Sequence, residues 1–264
     1  MIDPSAKIHP MSVVEDGAVI GPDCEIGPFC LVGSEVTLGA RSILHSHVVV
    51  KGKTTVGVEA QFFAGAVIGE IPQDKKFKGE KTSLEIGDRV RIRESATVNL
   101  GTDGGGGVTR IGDDCLLMSC CHIAHDVQMG KRVIVVSSSA IAGHCELDDD
   151  VIIGGLSGVH QFVRIGRGAI IGGMTKVTND VIPYGLVQAS RGELDGLNLV
   201  GLKRKGVERS DIMALRAAYQ ALAQGEGTFQ ERAQRLADDS DSEYVREIAE
   251  FILTNSSRSF LTPG

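Results

Sequence analysis

The stretch Ile111-Gly112-Asp113-Asp114-Cys115-Leu116-Leu117-Met118-Ser119-Cys120-Cys121-His122-Ile123-Ala124-His125-Asp126-Val127-Gln128-Met129 decides the fold. An aliphatic residue returns every sixth position, at Ile111, Leu117, Ile123 and Met129, and a small uncharged residue follows four places after, at Cys115, Cys121 and Val127. A helix repeats near 3.6 residues and an ordinary strand at 2, so a strict six fits neither. It fits a β-solenoid, in which short strands joined by tight turns stack like positions about 4.8 Å apart.

Working outward, the same column runs from Ile2 through Ile8, Val14, Ile20 and Ile26 to Ile68, resumes at Ile86, Ile92 and Val98, and after a one-residue slip continues from Ile111 to Val177. Glycines after the aliphatic position, such as Gly21, Gly27, Gly33, Gly39 and Gly57, are read as supplying the backbone freedom of the turns. Two interruptions, at about 70–83 and 99–110, leave the solenoid as loops, and loops that break a repeat usually carry function. The hexads fill residues 1–186; residues 187–264 read as a small helical domain. There Ser210 is expected to cap a helix, and Thr228-Phe229-Gln230-Glu231 and Ser240-Asp241-Ser242-Glu243 read as capping boxes.

Composition agrees with this reading. The 264 residues include 34 Gly, eight Phe, three Tyr and no Trp, so the interior is filled by small aliphatic groups rather than rings. No apolar run reaches the ~18 residues of a membrane span, and Met1-Ile2-Asp3-Pro4 shows no secretory signal, so a cytoplasmic location is expected. A net charge of −7 argues against general nucleic-acid binding. Of six cysteines, Cys24, Cys30, Cys115, Cys121 and Cys145 occupy the small inward column and read as filler, while one of Cys120 and Cys121 must point away from the core.

Four histidines gather late in the repeats: His122, His125, His144 and His160. Three hexads make one coil of eighteen residues, so His125 lies under Gly143 and Gln161, and Asp126 under His144. One edge then carries an imidazole, a carboxylate, a glycine backbone and an amide. Three histidines can hold zinc, but an acidic residue directly after His125 and the close spacing of His122 and His125 favour general-base chemistry without a metal or other cofactor.

The hexads resemble the hexapeptide-repeat acyltransferases, which implies a mainly β fold: a left-handed parallel β-helix of triangular coils. His122-Ile123-Ala124-His125-Asp126, Gln73-Asp74-Lys75-Lys76, Ile86-Gly87-Asp88 with Ile92-Arg93-Glu94-Ser95, Val159-His160-Gln161-Phe162 and Gly201-Leu202-Lys203-Arg204 together resemble the UDP-N-acetylglucosamine O-acyltransferase family of lipid A biosynthesis across essentially the whole chain. The resemblance implies transfer of a 3-hydroxyacyl group from acyl carrier protein to the sugar 3-OH of UDP-N-acetylglucosamine by a homotrimer with active sites between subunits. It makes His125 the base, Asp126 its orienting partner and the Gly143 N–H the oxyanion donor. It assigns Asp74, Lys76, His122, His144, His160 and Gln161 to sugar and acyl chain, Asn198 and Arg204 to the nucleotide, and Gly173 to the acyl-chain ruler. The chain departs from the family pattern at Asn99-Leu100, often His-Arg, and at Val200, often Glu, which puts the uridine and phosphate contacts in question. An acidic carrier protein calls for a basic patch, with Arg89, Arg91 and Arg93, or Arg164 and Arg167, or Lys203, Arg204 and Lys205 as candidates. Two alternatives stand beside this reading. The N-acyltransferase of the same pathway carries an extra N-terminal domain, whereas hexads here begin at Ile2; a non-catalytic scaffold has no reason to interrupt its repeat.

Overall fold

The structure, a computed structural model, describes residues 1–188, 192–254, 256 and 258–262. Strands mostly two residues long stack into three parallel sheets, the faces of a left-handed parallel β-helix. The first face runs from Lys7–Ile8 up to Ile170–Ile171, the second from Val13–Val14 to Lys176–Val177, and the third from Val19–Ile20 to Arg164–Ile165. Register is one coil per step, as in Ile8↔Ile26 and His122↔Ala140. The interruptions break that arithmetic: Val56 pairs with Ile86 and Ile86 with Ile111, so twelve and then seven extra residues leave the coil.

The aliphatic column points inward and is sealed, with Val32, Leu117, Ile123 and Ile153 at 0% exposure. The small column does more than fill. Cys24 Sγ donates to Gly39 O (3.1 Å), Ser139 Oγ to Gly154 O (2.8 Å) and Cys145 Sγ to His160 O (3.1 Å), so each hydroxyl or thiol bonds a turn carbonyl. Burial pushes the thiols of Cys115, Cys121 and Cys145 up to about 12, which keeps them unreactive. Cys120 is the exposed member of its pair.

The turn glycines have a different role from the one expected. Gly39 and Gly57 are not in the left-handed region; a Cβ on Gly39 would stand 2.4 Å from Gly57 O, and one on Gly57 2.2 Å from Asp88 Oδ1. They permit coil-to-coil approach. The left-handed residue of each corner comes two positions later and is rarely glycine: Phe29, Arg41, His47, Asp126, His144 and Phe162 all have φ between 60° and 63° or close to it, at 58° for Arg41. A backbone bond to the coil below holds most of these corners, as His144 N to His125 O (3.1 Å), while Asp126 N goes to the Thr109 side chain.

Along the corner between the third and first faces, left-handed residues alternate in sign: Asp23, Arg41, Glu59, Arg89, Asp114, Arg132, Asp150. Arg41 pairs with Glu59 (2.8 Å), Arg89 with Asp114 (2.7 Å) and Arg132 with Asp150 (2.7 Å).

Beyond the hexads, Gly185–Gln188 extends the first face and turns back as the antiparallel strand Glu193–Leu197. Among the described residues four helices follow: α1 (Leu199–Arg204), α2 (Arg209–Gln224), α3 (Phe229–Asp239) and α4 (Glu243–Leu253). The Thr228/Glu231 capping box forms at α3. The other two expected caps do not. Ser210 lies inside α2, which starts one residue earlier behind Glu208, because α1 and its turn end at Val207 and bring the chain directly into the helix. Ser240, the expected cap of the second box, is the C-cap of α3, and Ser242, which directly precedes α4, makes no side-chain cap and donates its hydroxyl to Asp211 Oδ1 of α2 (2.8 Å).

Candidate active site

His125 and Asp126 sit at the corner between the second and third faces. Asp126 takes the left-handed position (φ 61°), which turns its side chain back beside the ring of His125, and its Oδ2 lies 2.8 Å from His125 Nδ1. The carboxylate is fully buried while the imidazole keeps 14% of its surface exposed. Burying a charge is costly unless hydrogen bonds replace water. Thr102 provides them: its N–H reaches Asp126 Oδ1 at 2.8 Å and its hydroxyl Oδ2 at 2.5 Å, while the Asp126 N–H donates to Thr109 Oγ1 at 2.8 Å. The second interruption therefore supplies the hydrogen bonds of this carboxylate, with Gly105 pressed so close that a Cβ would overlap the carboxyl carbon (2.1 Å).

One coil above, Gly143 faces the imidazole directly: a Cβ there would stand 2.5 Å from His125 Cε1 and 2.7 Å from Nε2. Among the described residues nothing accepts the Gly143 N–H. His144 crosses His125 edge-on (centroids 5.0 Å, 87°) and stacks flat on Phe162 (4.4 Å, 4°). Burial holds His144 below the ordinary imidazole range, partly countered by Asp126; Gln73 of the first interruption lines the groove beside His125 and Gly143. Donor atoms of His125, Asp126 and His144 lie within 4.8 Å of one another, close enough to be drawn around an ion. The hydrogen bonds show another use, because both carboxylate oxygens are already engaged in orienting the ring and the loop.

The outward ladder of the second face makes the floor of a groove of about 440 Å³: His122, Ala140, Gly158 and Lys176 in successive coils, with Asn99, His125, Gly143, His160 and Gln73 at its edges. Ala140 and Gly158 leave the middle of that floor bare. His122 Nδ1 is 2.7 Å from Thr97 Oγ1, and burial, reinforced by His125, holds its ring below the usual range. Asn99 Nδ2 donates to Ile71 O (3.2 Å) and Glu70 O (3.4 Å), tying the two interruptions together; Leu100 packs into the core.

The structure thus brings His122, His125, Asp126, Gly143, His144 and His160 to one edge, with Asp74 and Lys76 on the loop above. Gln161 is at the next corner, where Phe162 N bonds Gly143 O (3.1 Å). Asn198 and Arg204 stand apart. Asn198 caps α1, accepting from Gly201 N (3.0 Å) and donating to Gly168 O (2.9 Å), and Arg204 ends that helix exposed to solvent. Gly173 lies across the second face, at its corner with the first, where a Cβ meets only Gly155 backbone atoms, the nearer at 3.3 Å. Residues missed in the sequence are Thr97, Thr102 and Thr109, and Asn99 was noted only as a departure from the family pattern; the signal was the position of Thr102 inside an interruption.

Comparison with known proteins completes the picture. Residues 180–261 match the family described as Udp N-acetylglucosamine O-acyltransferase, domain 2, and residues 17–52 match the bacterial transferase hexapeptide (six repeats). The acyl-[acyl-carrier-protein]--UDP-N-acetylglucosamine O-acyltransferase of Paracoccus denitrificans is 62% identical over 201 residues, 76% of each chain. That of Agrobacterium fabrum is 45% identical over 262 residues, 98% of this chain and 97% of its own. The solved UDP-N-acetylglucosamine acyltransferase from Campylobacter jejuni superposes with a TM-score of 0.92 at 35% identity, covering 98% of this chain and all of that one. With relatives this similar over their whole length, the chain belongs to the UDP-N-acetylglucosamine O-acyltransferase family.

Proposed function

We propose that this protein transfers a 3-hydroxyacyl chain from acyl carrier protein to the 3-OH of UDP-N-acetylglucosamine, the first step of lipid A biosynthesis, in the cytoplasm. The observation that carries the reading is the backbone of Gly143 against the ring of His125, with Asp126 buried behind it. Asp126 keeps the neutral ring protonated on Nδ1, so Nε2 takes the proton from the sugar hydroxyl as its oxygen attacks the thioester carbonyl. The Gly143 N–H receives the oxyanion; on collapse the C–S bond breaks and the imidazolium returns its proton to the leaving thiolate. Asp74, Lys76, His122, His144, His160 and Gln161 position sugar and acyl chain.

The experiment is incubation with a mixture of 3-hydroxyacyl carrier proteins and either UDP-N-acetylglucosamine or its 3-amino analogue, with products identified by mass spectrometry. An O-acylated nucleotide sugar carrying a long chain is expected; no product from either acceptor defeats the reading, and product from the amino analogue alone makes the acceptor atom nitrogen. Gly173→Met, filling the space at that corner, should shift preference toward shorter chains, since each buried methylene is worth about 0.8 kcal/mol. An unchanged preference removes Gly173 as the ruler.

The working unit is a homotrimer. Upper coils of the first face present Leu116, Ile134, Ile152 and Ile170 outward in one ladder, and lower coils of the second face present Val13, Leu31, Val49 and Val67, whereas the third face shows Glu85, Arg110, Gln128, Glu146 and Arg164. Apolar ladders on two of the three faces suit threefold packing, which would bring Asn198 and Arg204 of one subunit to the groove of the next. Solution mass should be three times 27.9 kDa, and Ile134→Glu with Ile152→Glu should lower both mass and activity. A fully active native monomer contradicts this.

Carrier-protein docking falls to α1 and α2. Arg89 and Arg93 are paired with Asp114 and Glu94, Arg164 is buried on Asp180, Arg167 meets Glu247 and Lys205 meets Asp150. Lys203, Arg209 and Arg216 instead surround the exposed Met213 in a hollow of about 540 Å³ whose lining holds no carboxylate. That chemistry suits an acidic helix with an apolar tip. Arg209→Glu with Arg216→Glu should raise KM for the acyl carrier protein about tenfold or more and flatten its salt dependence, leaving a small pantetheine thioester unaffected. Equal effects on both donors rule the patch out.

A further inference from the structure

The last described segment returns to the groove. Residues 256 and 258–262 lie along Asp180, which is 0% exposed: Asp180 N donates to Ser259 O (2.9 Å), Leu261 N to Asp180 O (2.8 Å) and Ser256 Oγ to Asp180 Oδ2 (2.5 Å). Arg164 locks the same carboxylate at 2.8 Å while its guanidinium stacks over Phe251 (4.7 Å) and Phe260 (5.8 Å). Arg258 N bonds Ser256 Oγ (3.0 Å), and this anchored strap delivers the Arg258 guanidinium to the rim of the groove, ninety-eight residues along the chain from His160.

There a single nitrogen, Nη2, stands 2.9 Å from His160 Nδ1 and 3.0 Å from Gln161 O. A guanidinium nitrogen of this kind has two hydrogens and no lone pair to offer, so both contacts are donated by arginine. His160 Nδ1 must then be the acceptor. Its 3.3 Å approach to Gln161 O is the longer contact and is the edge of a triangle closed by the guanidinium, not a bond from an Nδ1 hydrogen.

We propose that Arg258 is a positioning residue for the transfer reaction, holding His160 in the neutral tautomer protonated on Nε2 so that the ring offers an N–H donor to the substrate in the groove. A histidine tautomer is set by what its other nitrogen bonds, and here that partner comes from the chain's far end. The role in transfer rests on the acyltransferase reading; the tautomer does not.

The test has two readings. Ring 15N NMR of the unliganded protein, with the His160 signals assigned by their loss in His160→Gln, should show Nε2 protonated and Nδ1 bare, and Arg258→Met should move the proton to Nδ1 in part or in full. A native ring protonated on Nδ1, or one unchanged in Arg258→Met, overturns the proposal whatever the enzyme catalyses. In transfer assays Arg258→Met should lower kcat/KM about tenfold, but under about twofold when His160 is already Ala, because coupled residues do not add. An equal loss in both backgrounds means that Arg258 does not act through His160. Should Arg258→Met fail to fold, Arg258→Lys, which keeps a donor without the fork, carries the same two measurements with a smaller kcat/KM loss and partial proton transfer expected.

Discussion

Replacing His125 with Ala should lower turnover by about 10²–10⁴-fold while leaving the coil folded. The ring points out of the solenoid, so its removal opens no cavity among the inward aliphatics and breaks only the 2.8 Å bond to Asp126. Thr102 still engages both carboxylate oxygens, so the buried charge is not abandoned. The check is kcat at saturating substrates beside the melting temperature and solution mass of the variant. Near-normal turnover, or activity that follows bound zinc and vanishes with a chelator, would mean that His125 is not the base.

Gly143→Ala should be almost as damaging, for a steric reason alone. The added carbon would lie 2.5 Å from Cε1 and 2.7 Å from Nε2 of His125, inside contact distance, and Gly143 is not in the left-handed region, so the backbone itself tolerates alanine. The imidazole must swing away, losing its alignment with Asp126, while the new methyl occupies the space needed by the oxyanion. A loss of about 10²-fold or more in kcat is expected with a change in stability of about 1 kcal/mol or less. Gly104→Ala, where the added carbon meets nothing within 4 Å, serves as the control. Should Gly143→Ala keep full kcat, the tight approach of this glycine to the ring has no catalytic meaning.

How much of this was legible beforehand follows from what repeats. Positions one coil apart occupy like environments, so adding eighteen to 125 finds Gly143 correctly, and the sorting of Cys24 and Cys145 into the interior follows from phase alone. The same addition fails across an interruption: Asp126 meets Thr102, twenty-four residues back, because seven extra residues intervene. Corner geometry was misread for a different reason. Propensity gives the left-handed region to glycine, yet stacked hydrogen bonds force Phe29, Arg41 and Leu156 into it, leaving Gly39 to solve a clash. In the tail, Thr228 caps as its local sequence indicates, whereas Ser240 ends α3 instead of starting α4 and Ser242 donates to Asp211 of another helix. Arg258 and His160 meet through tertiary docking of the strap, and no local pattern announces it.

The alternating corner from Asp23 to Asp150 bears on how the chain finds its register during folding. Hexads are nearly interchangeable inside, so an assembling solenoid that looped out one coil would bury almost the same core. The rungs would register the error. With one coil missing, Arg41 would stack on Arg89 or Glu59 on Asp114, and attraction would become repulsion at the splice. Such a ladder works as a parity check: it adds little to the finished molecule, since pairs such as Arg41–Glu59 and Arg89–Asp114 are about half exposed, but it discriminates an odd miscount from the true sequence at every step of propagation.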